Sequence, residues 1–190
     1  MKIIPVIFVF FLITNFIPHS YAKVPDLRPS QNQDGWTQNG KPVPDTDNMK
    51  SKNGFGVALW LISDPSIFDR WDKEEAPNFK TTNTAIRNKP IFLIFHIINP
   101  GVDGATMANV TADVTITSPD GSIYGDFKDL EIWQRNYPFP KNTFQLSIGH
   151  LGINIENGEQ LGVYKINAIV KDNNKNVTLN LKTDFVAKEK

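Results

Sequence analysis

Strict alternation of apolar and polar residues marks the last quarter of the chain. From Tyr164 to Val170 every second residue is apolar, and after an Asp-Asn-Asn-Lys turn at 172–175 the alternation resumes at Val177. This pattern places the apolar side chains of each strand on one face, as a half-buried antiparallel hairpin requires. Tyr164 also follows a Leu-Gly bend, which is typical of the tyrosine corner of immunoglobulin-like sandwiches. The sequence therefore predicts a closing hairpin tied to the preceding bend by the Tyr164 hydroxyl.

The same reasoning extends the strand pattern toward the N-terminus. Further strands are predicted at 54–63, 91–98, 109–117, 122–130 and 143–155. Between the first two, Asp64 and Pro65 resemble a helix N-cap followed by proline at the first helical position, which predicts a short helix from Pro65 to about Asp72. Short strands with Gly-, Pro- and Asn-rich connections favour an antiparallel arrangement over a parallel sheet. The predicted fold is an all-β, immunoglobulin-like antiparallel β-sandwich of about seven strands with one short inserted helix.

The N-terminus has the pattern of an export signal. Lys2 precedes an apolar run at 3–17, and Ser-Tyr-Ala at 20–22 supplies small residues for a signal peptidase. The run is shorter than the roughly 20 apolar residues that span a membrane. A signal peptide at 1–22, cleaved after Ala22, is therefore predicted. It implies a periplasmic protein with no membrane attachment after cleavage.

A polar segment separates this leader from the predicted domain. Residues 23–53 contain four prolines among Gln, Asn, Asp and Gly, with few large apolar residues. Such a stretch buries too little surface to offset the entropy of ordering, so a flexible lead-in is predicted there. Trp36 is the exception, and its large apolar ring is expected to pack on its own domain. The sandwich domain is assigned to residues 54–188.

Composition narrows the possible functions. The chain has 190 residues, enough for one well-cored domain, and 20 basic residues balance 20 acidic ones. This balance gives no reason to expect nucleic acid or an anionic membrane surface as a partner. The absence of cysteine excludes disulfides, thiol nucleophiles and the thiolate ligand of blue-copper sites.

Candidate chemistry in the predicted mature chain begins with two histidines, His96 and His150. Neither lies near a Gly-x-Ser-x-Gly elbow, and their separation lacks the spacing of a local metal site. Met107 offers a thioether sulfur, which is a soft metal ligand, and a fold can bring it close to the two histidines. The carboxylates Asp126, Asp129 and Glu131 fit either a glycosidase pair or a charged strand edge, of which the edge is commoner. No enzyme and no cofactor are predicted.

The loop at 131–142 is the best candidate for binding. Trp133, Tyr137 and Phe139 lie there, and two prolines exclude a central strand. The rings either form a preorganised patch for a protein or a glycan, or close one end of the sandwich. Exposure of Trp133 and Tyr137 distinguishes the two interpretations.

Three segments together resemble a known protein family. They are PDGSIYGDFKD at 119–129, FQLSIGHLGINIE at 144–156 and LGVYKINAIVKD at 161–172. They resemble a family of exported proteobacterial proteins described as periplasmic or hypothetical. The resemblance covers roughly 54–186. It implies an immunoglobulin-like sandwich and carries over no catalytic residues.

Three functions follow as hypotheses. The first is a non-enzymatic periplasmic binding or accessory protein that contacts another envelope protein through the aromatic loop, near His150, or through an open sheet edge. The alternative is a periplasmic carrier of copper or a small ligand that uses His96, His150 or Met107. An inhibitor of exported hydrolases is a third hypothesis, for which no residue gives direct support.

Overall fold

Strands dominate the described part of the chain. The computed structural model describes residues 7–11, 27–31, 34–71, 73 and 79–190, so the predicted cleavage site after Ala22 lies outside the described residues. The strands are β1 (Ile7–Phe11), β2 (Leu27–Pro29), β3 (Trp36–Gln38), β4 (Lys41–Val43), β5 (Met49–Lys52), β6 (Phe55–Ile62), β7 (Thr84–Ile86), β8 (Ile91–Ile98), β9 (Val110–Thr117), β10 (Ile123–Trp133), β11 (Gln145–Leu146), β12 (Gly149–Ile153), β13 (Gly162–Asp172) and β14 (Val177–Lys188), and the helix is α1 (Ile67–Arg70).

Three sheets contain these strands. Sheet 1 has the order β1-β12-β8-β6-β5, with β11 also paired to β8. Sheet 2 has the order β10-β9-β13-β14-β7, and sheet 3 has the order β2-β3-β4. The pairings are antiparallel, except for the parallel pairing of β7 with β14. The predicted all-β antiparallel architecture is confirmed.

Sheets 1 and 2 face each other across the main core. Leu93 and Phe95 of β8 share this core with Val114 of β9 and Ile166 of β13. Ile94, between the two β8 residues, belongs instead to a cluster on the outer side of sheet 1. Sheet 1 is thus covered on both faces, as the doubly apolar sequences of β6 and β8 predict.

The closing hairpin forms as predicted. β13 and β14 pair along their whole length, and buried residues alternate with exposed or half-buried ones in both strands. The Tyr164 hydroxyl donates to the carbonyl oxygen of Gln160 at 2.8 Å. The predicted tie between this tyrosine and the bend before β13 is therefore confirmed.

The predicted helix is shorter than the sequence suggests. Pro65 and Ser66 form a turn and α1 begins at Ile67. The Asp64 side chain accepts from the backbone N–H of Ser66 at 2.9 Å, so this residue caps the turn rather than a longer helix. α1 then ends at Arg70 after four residues.

Part of the predicted flexible lead-in is ordered against the sandwich. β5 pairs with β6, and sheet 3 carries Trp36, which is fully buried and stacks on Phe144 at 5.8 Å between ring centroids. A Cβ on Gly56 would meet the Trp36 ring, so glycine at this position lets the indole lie directly on β6. The prediction that Trp36 packs on its own domain is confirmed. Together with the half-buried Leu27, Val43 and Met49, which pack in the same cluster, this ring explains why so polar a segment docks.

Candidate functional site

The aromatic loop closes one end of the sandwich. Trp133 is 7% exposed and Tyr137 is 9% exposed, and both belong to the main core. With the half-buried Phe139 they form three edge-to-face contacts at 5.0–5.5 Å between centroids. The Trp133 indole N–H donates to the carbonyl oxygen of Asn136 at 3.2 Å, which satisfies its polar atom inside the loop. The interpretation of this loop as an exposed aromatic patch is therefore corrected. The rings face inward, where the main core removes their apolar surface from water.

His96 is a buried ring on the outer face of sheet 1. It is 4% exposed and lies between Trp71 and Phe79, whose ring centroids are 4.7 and 5.1 Å away. Its Nε2 atom has no hydrogen-bond partner among the described residues. Burial lowers the pKa of His96 from 6.5 to about 3. The imidazole is therefore neutral at physiological pH and serves as packing surface.

His150 lies on the same outer face, in the neighbouring strand. It is 3% exposed, and its ring stacks on Phe68 at 4.2 Å. Burial lowers the pKa of His150, and a hydrogen bond with the backbone of Ile148 opposes this effect. The His150 ring therefore packs in the cover of sheet 1, whereas the rings of the aromatic loop pack in the main core, so the structure does not bring these two candidate binding positions together.

Both histidines are covered by the segment that follows β6. Strand alternation sends Ile94 and His96 of β8 outward, and Ile67, Phe68 and Trp71 of the α1 segment pack over that face. We call this assembly the outer cluster. Its buried members are Ile62, Ile67, Trp71, Ile94 and Leu146, joined by half-buried Trp60, Phe68, Phe79 and Phe92.

Met107 is in a different part of the fold. It pairs with Asn136 through an isolated bridge, and its backbone bonds to Asp103 and Asn174, with no contact to the outer cluster. Within the described ranges, no group of three or more His, Asp or Glu residues has the arrangement of a metal site. The residues that the copper-carrier hypothesis invokes are not gathered at one place.

The three carboxylates on β10 form a charged sheet edge. Asp126 pairs with Lys128 at 2.9 Å, and this hydrogen bond holds the pKa of Asp126 below its usual range. Asp129 lies 3.6 Å from Lys171. A glycosidase acid needs a raised pKa, so the lowered pKa of Asp126 argues against that role. The lysines beside Asp126 and Asp129 fit the alternative of a strand edge protected by charge.

β12 is an edge of a different kind. In the structure it pairs antiparallel with β1 over five residues, from Ile7 opposite Ile153 to Phe11 opposite Gly149. β1 falls within the predicted signal peptide. The extended segment that occupies this edge in the structure is therefore one that the predicted cleavage would remove. No charged residue occurs between positions 142 and 155. This uncharged run fits an edge that is not protected by charge, and the strand order is what locates that edge.

Backbone direction shows which groups of β12 face outward from the sheet. The backbone N–H of Ser147 donates to the carbonyl oxygen of Phe95 at 2.8 Å, so the odd-numbered residues of β8 face β12. Leu93 pairs with Leu151, which directs the backbone groups of Leu151 toward β8. The backbone groups of His150 and Gly152 therefore point the other way, toward β1.

Comparison with known proteins gives no family. No family model matches the chain, and no curated protein matches it. The solved structures it resembles include a family 123 glycoside hydrolase from Clostridium perfringens, at 11% identity and a TM-score of 0.42, with 70% of this chain and 27% of the hydrolase covered. The chain therefore spans about a quarter of that enzyme.

Two smaller proteins are matched over most of their length. A CARDB domain from Pyrococcus furiosus, solved in complex with di-metal ions, is 15% identical with a TM-score of 0.36, covering 70% of this chain and 87% of the domain. A Niemann-Pick type C2 protein from the Japanese carpenter ant is 19% identical with a TM-score of 0.37, covering 70% and 89%. These values are too low to support an inference about function.

Among the described residues, the one helix is far too short to cross a membrane.

Proposed function

We propose that this chain is a non-enzymatic binding or accessory protein of the periplasm, exported by a cleaved signal peptide, that recognises another envelope protein by strand addition at the edge of β12. The observation that carries the proposal is the pairing of β12 with an extended segment along its whole length. Removal of residues 1–22 would leave the outward backbone groups of His150 and Gly152 without that partner. A partner's strand that replaces β1 restores those hydrogen bonds.

The other described edges of the two main sheets carry features that discourage strand addition. β10 has three register shifts and the ion pair of Asp126 with Lys128. β5 carries Lys50 and Lys52, and β7 is three residues long. Natural sheets use such bulges, charges and short strands to protect their edges. β12 has none of these, which supports its assignment as the interaction edge.

The experiment changes one backbone group at this edge. Gly152→Pro removes the outward N–H and leaves the pairing of Leu151 with β8 intact, because residue 152 directs its backbone away from β8. Gly152→Ala is the matched control, since it adds a Cβ at the same position and keeps the N–H. Both variants are expressed in the native host, purified from the periplasm and tested for co-purification of one identified envelope protein.

We expect that envelope protein with the wild type and with Gly152→Ala, and its loss with Gly152→Pro. Equal recovery with both variants would refute strand addition. If a homodimer is the sole complex recovered, the partner that adds a strand to β12 is a second copy of this chain and not another envelope protein. The export step is tested separately by the intact mass of the periplasmic form: a start at Lys23 supports it, and a start at Met1 contradicts it.

Trp133→Ala is unsuitable as an interface test. The indole is buried in the main core, so its removal lowers stability by about 3–5 kcal/mol whether or not a partner binds. The edge variant removes a backbone N–H and no core side chain, but Gly152 is buried. The unfolding temperatures of Gly152→Pro and Gly152→Ala are therefore compared with the wild type, and a lost partner counts only for a variant that is as stable as the control.

A further inference from the structure

Gly152 is a position without a side chain on the outer face of the β12 edge. Leu151 pairs with Leu93 and both lie in the main core, so their side chains face inward. Gly152 pairs with Phe92, which packs in the outer cluster, so this pair faces outward. Position 152 therefore places no side chain between Phe92 and a strand that pairs with β12.

Three aromatic rings border the outward side of this glycine. Phe92 lies beside it in β8, His150 lies two residues before it on the same face of β12, and Phe68 of α1 contacts both rings. The centroid of the Phe68 ring is 4.2 Å from that of His150 and 5.7 Å from that of Phe92, and the last two centroids are 6.2 Å apart. We call Phe68, Phe92 and His150 the aromatic corner. Phe68 and Phe92 are only half-buried, so the corner has apolar surface that a further side chain can cover.

A strand added at this edge meets apolar surface on both of its faces. On the inner side Leu151 and Ile153 belong to the main core, and on the outer side lies the aromatic corner. Burial lowers the pKa of His150, so its ring is neutral at physiological pH and offers an aromatic surface instead of a charge. A charged side chain on the added strand would lose water at this edge without gaining a partner. The edge therefore favours an apolar strand.

The register of β1 matches this environment. Phe8 is opposite Gly152, and the residues on either side of it, Ile7 and Val9, are apolar. An aromatic residue across from glycine compensates for the missing side chain, because its ring can lean over the bare backbone of the neighbouring strand. The pairing thus places an aromatic residue at the one outward position of β12 that is a glycine.

We propose that β12 selects its partner by an aromatic anchor: the added strand runs antiparallel to β12, carries Phe, Tyr or Trp opposite Gly152 and has apolar residues on either side of this anchor. The inference rests on the strand addition proposed above and names the chemistry of the partner strand. The anchor ring lies over Gly152 and packs against the aromatic corner. Backbone hydrogen bonds hold the strand, and the anchor fixes its register and identity.

The alternative is an edge that accepts any apolar strand through backbone hydrogen bonds alone. The two cases differ in how binding depends on position. A ring opposite Gly152 gains contact with Phe92 across the glycine, whereas a ring opposite His150 faces an imidazole that already fills this position and stacks on Phe68. An edge without an anchor position gives the same loss when either ring is removed.

The test measures the affinity of short labelled peptides for the protein purified from the periplasm, by fluorescence anisotropy. The parent peptide copies residues 5–13 and carries lysines at both ends for solubility. Two variants replace Phe8 or Phe10, the residues opposite Gly152 and His150, by alanine, so they have the same composition and differ only in which ring is missing. We expect Phe8→Ala to weaken binding about tenfold or more, and Phe10→Ala about threefold or less.

Gly152→Ala tests the same contact from the side of the protein. This variant keeps the backbone N–H and should still bind the parent peptide, but its methyl group stands between the anchor and Phe92. The difference between the Phe8→Ala and Phe10→Ala peptides should therefore become smaller than with the wild type. The peptide series on the wild type does not depend on the stability of this variant.

Equal losses for the two alanine peptides would overturn the anchor and leave strand addition standing. An undiminished difference between them in Gly152→Ala would also overturn it, because the glycine would then have no part in the selection. Strand addition itself would fail, and the anchor with it, if the parent peptide does not bind or if N-methylation at Phe8 and Phe10 leaves its affinity unchanged.

Discussion

The Tyr164 hydroxyl donates to the backbone carbonyl oxygen of Gln160 at 2.8 Å, while the ring of Tyr164 stacks on Phe185 at 5.0 Å with an interplanar angle of 3°. One side chain thus joins the bend before β13 to that strand and also packs against β14. The hydroxyl and the ring make separate contributions because they contact different elements.

Tyr164→Phe should lower the free energy of unfolding by about 1 kcal/mol, since it removes one hydrogen bond and keeps the stacked ring. Tyr164→Leu should cost more, about 3 kcal/mol, because the contact with Phe185 is lost as well. Urea denaturation of both variants measures the difference. An unchanged free energy of unfolding in Tyr164→Phe would show that the hydroxyl contributes nothing to the corner, and equal losses in the two variants would show that the stacked ring contributes nothing.

Much of the hairpin was predictable because its signals are local. The alternation from Tyr164 to Val170 and the turn at 172–175 lie in neighbouring residues, and neighbouring residues determine a hairpin. The burial of Trp133 was not predictable in the same way. Whether its loop turns inward depends on how the loop folds back over the end of the sandwich, a long-range property that the sequence pattern does not contain.

The cover of sheet 1 illustrates the same limit. A short helix was predicted after β6, yet the sequence did not indicate that Phe68 and Trp71 of this segment cover His150 and His96. An edge strand is likewise defined by which strands pair, so the role of β12 became visible only with the strand order. Local patterns predict elements, and tertiary contacts decide which of their surfaces remain open.

His96 should make the protein less stable in acid. Its folded-state pKa is lowered to about 3 by burial, whereas the same imidazole in the unfolded chain has a pKa near 6.5. The unfolded state therefore binds more protons between these values, and the free energy of unfolding falls as the pH drops from 6.5 toward 3. The contribution of this residue is at most roughly 5 kcal/mol once the pH is below 3.

Urea denaturation at several pH values between 7 and 4 tests this effect, with His96→Leu as the comparison. Leucine has no proton to bind, so the variant should lose less stability over this range than the wild type. Titration of the carboxylates changes the free energy of unfolding of both proteins equally, so it cancels when the variant is compared with the wild type. Parallel curves would show that His96 is not the source of the acid sensitivity.

Gly149 should be intolerant of any side chain. A Cβ at this position would collide with the backbone carbonyl oxygen of Glu131, where β12 passes β10. Gly149→Ala is therefore expected to destabilise the fold by about 3 kcal/mol or more, because backbone on both sides has to move. The control is Gly104→Ala, where a Cβ meets nothing within 4 Å and stability should change by less than about 1 kcal/mol. Thermal denaturation compares the two, and similar midpoints would contradict the close approach.

If the proposed cleavage after Ala22 occurs, the edge of β12 should be visible to hydrogen exchange in the resulting form, which would begin at Lys23. Without β1, the backbone N–H groups of His150 and Gly152 face solvent, whereas those of Leu151 and Ile153 still face β8. We expect much faster exchange at residues 150 and 152 than at 151 and 153. This alternation of fast and slow amides is the signature of an unpaired edge strand.

A synthetic peptide that copies residues 5–13 should slow exchange at His150 and Gly152 by occupying the edge. The matched control is the same peptide N-methylated at Phe8 and Phe10, the residues opposite Gly152 and His150 in the antiparallel register, because methylation removes the N–H groups that face β12. Slowed exchange with the first peptide alone would show that β12 accepts a strand through backbone hydrogen bonds. Equal protection of residues 150–153 before any peptide is added would mean that the edge is already closed, and strand addition would then be excluded.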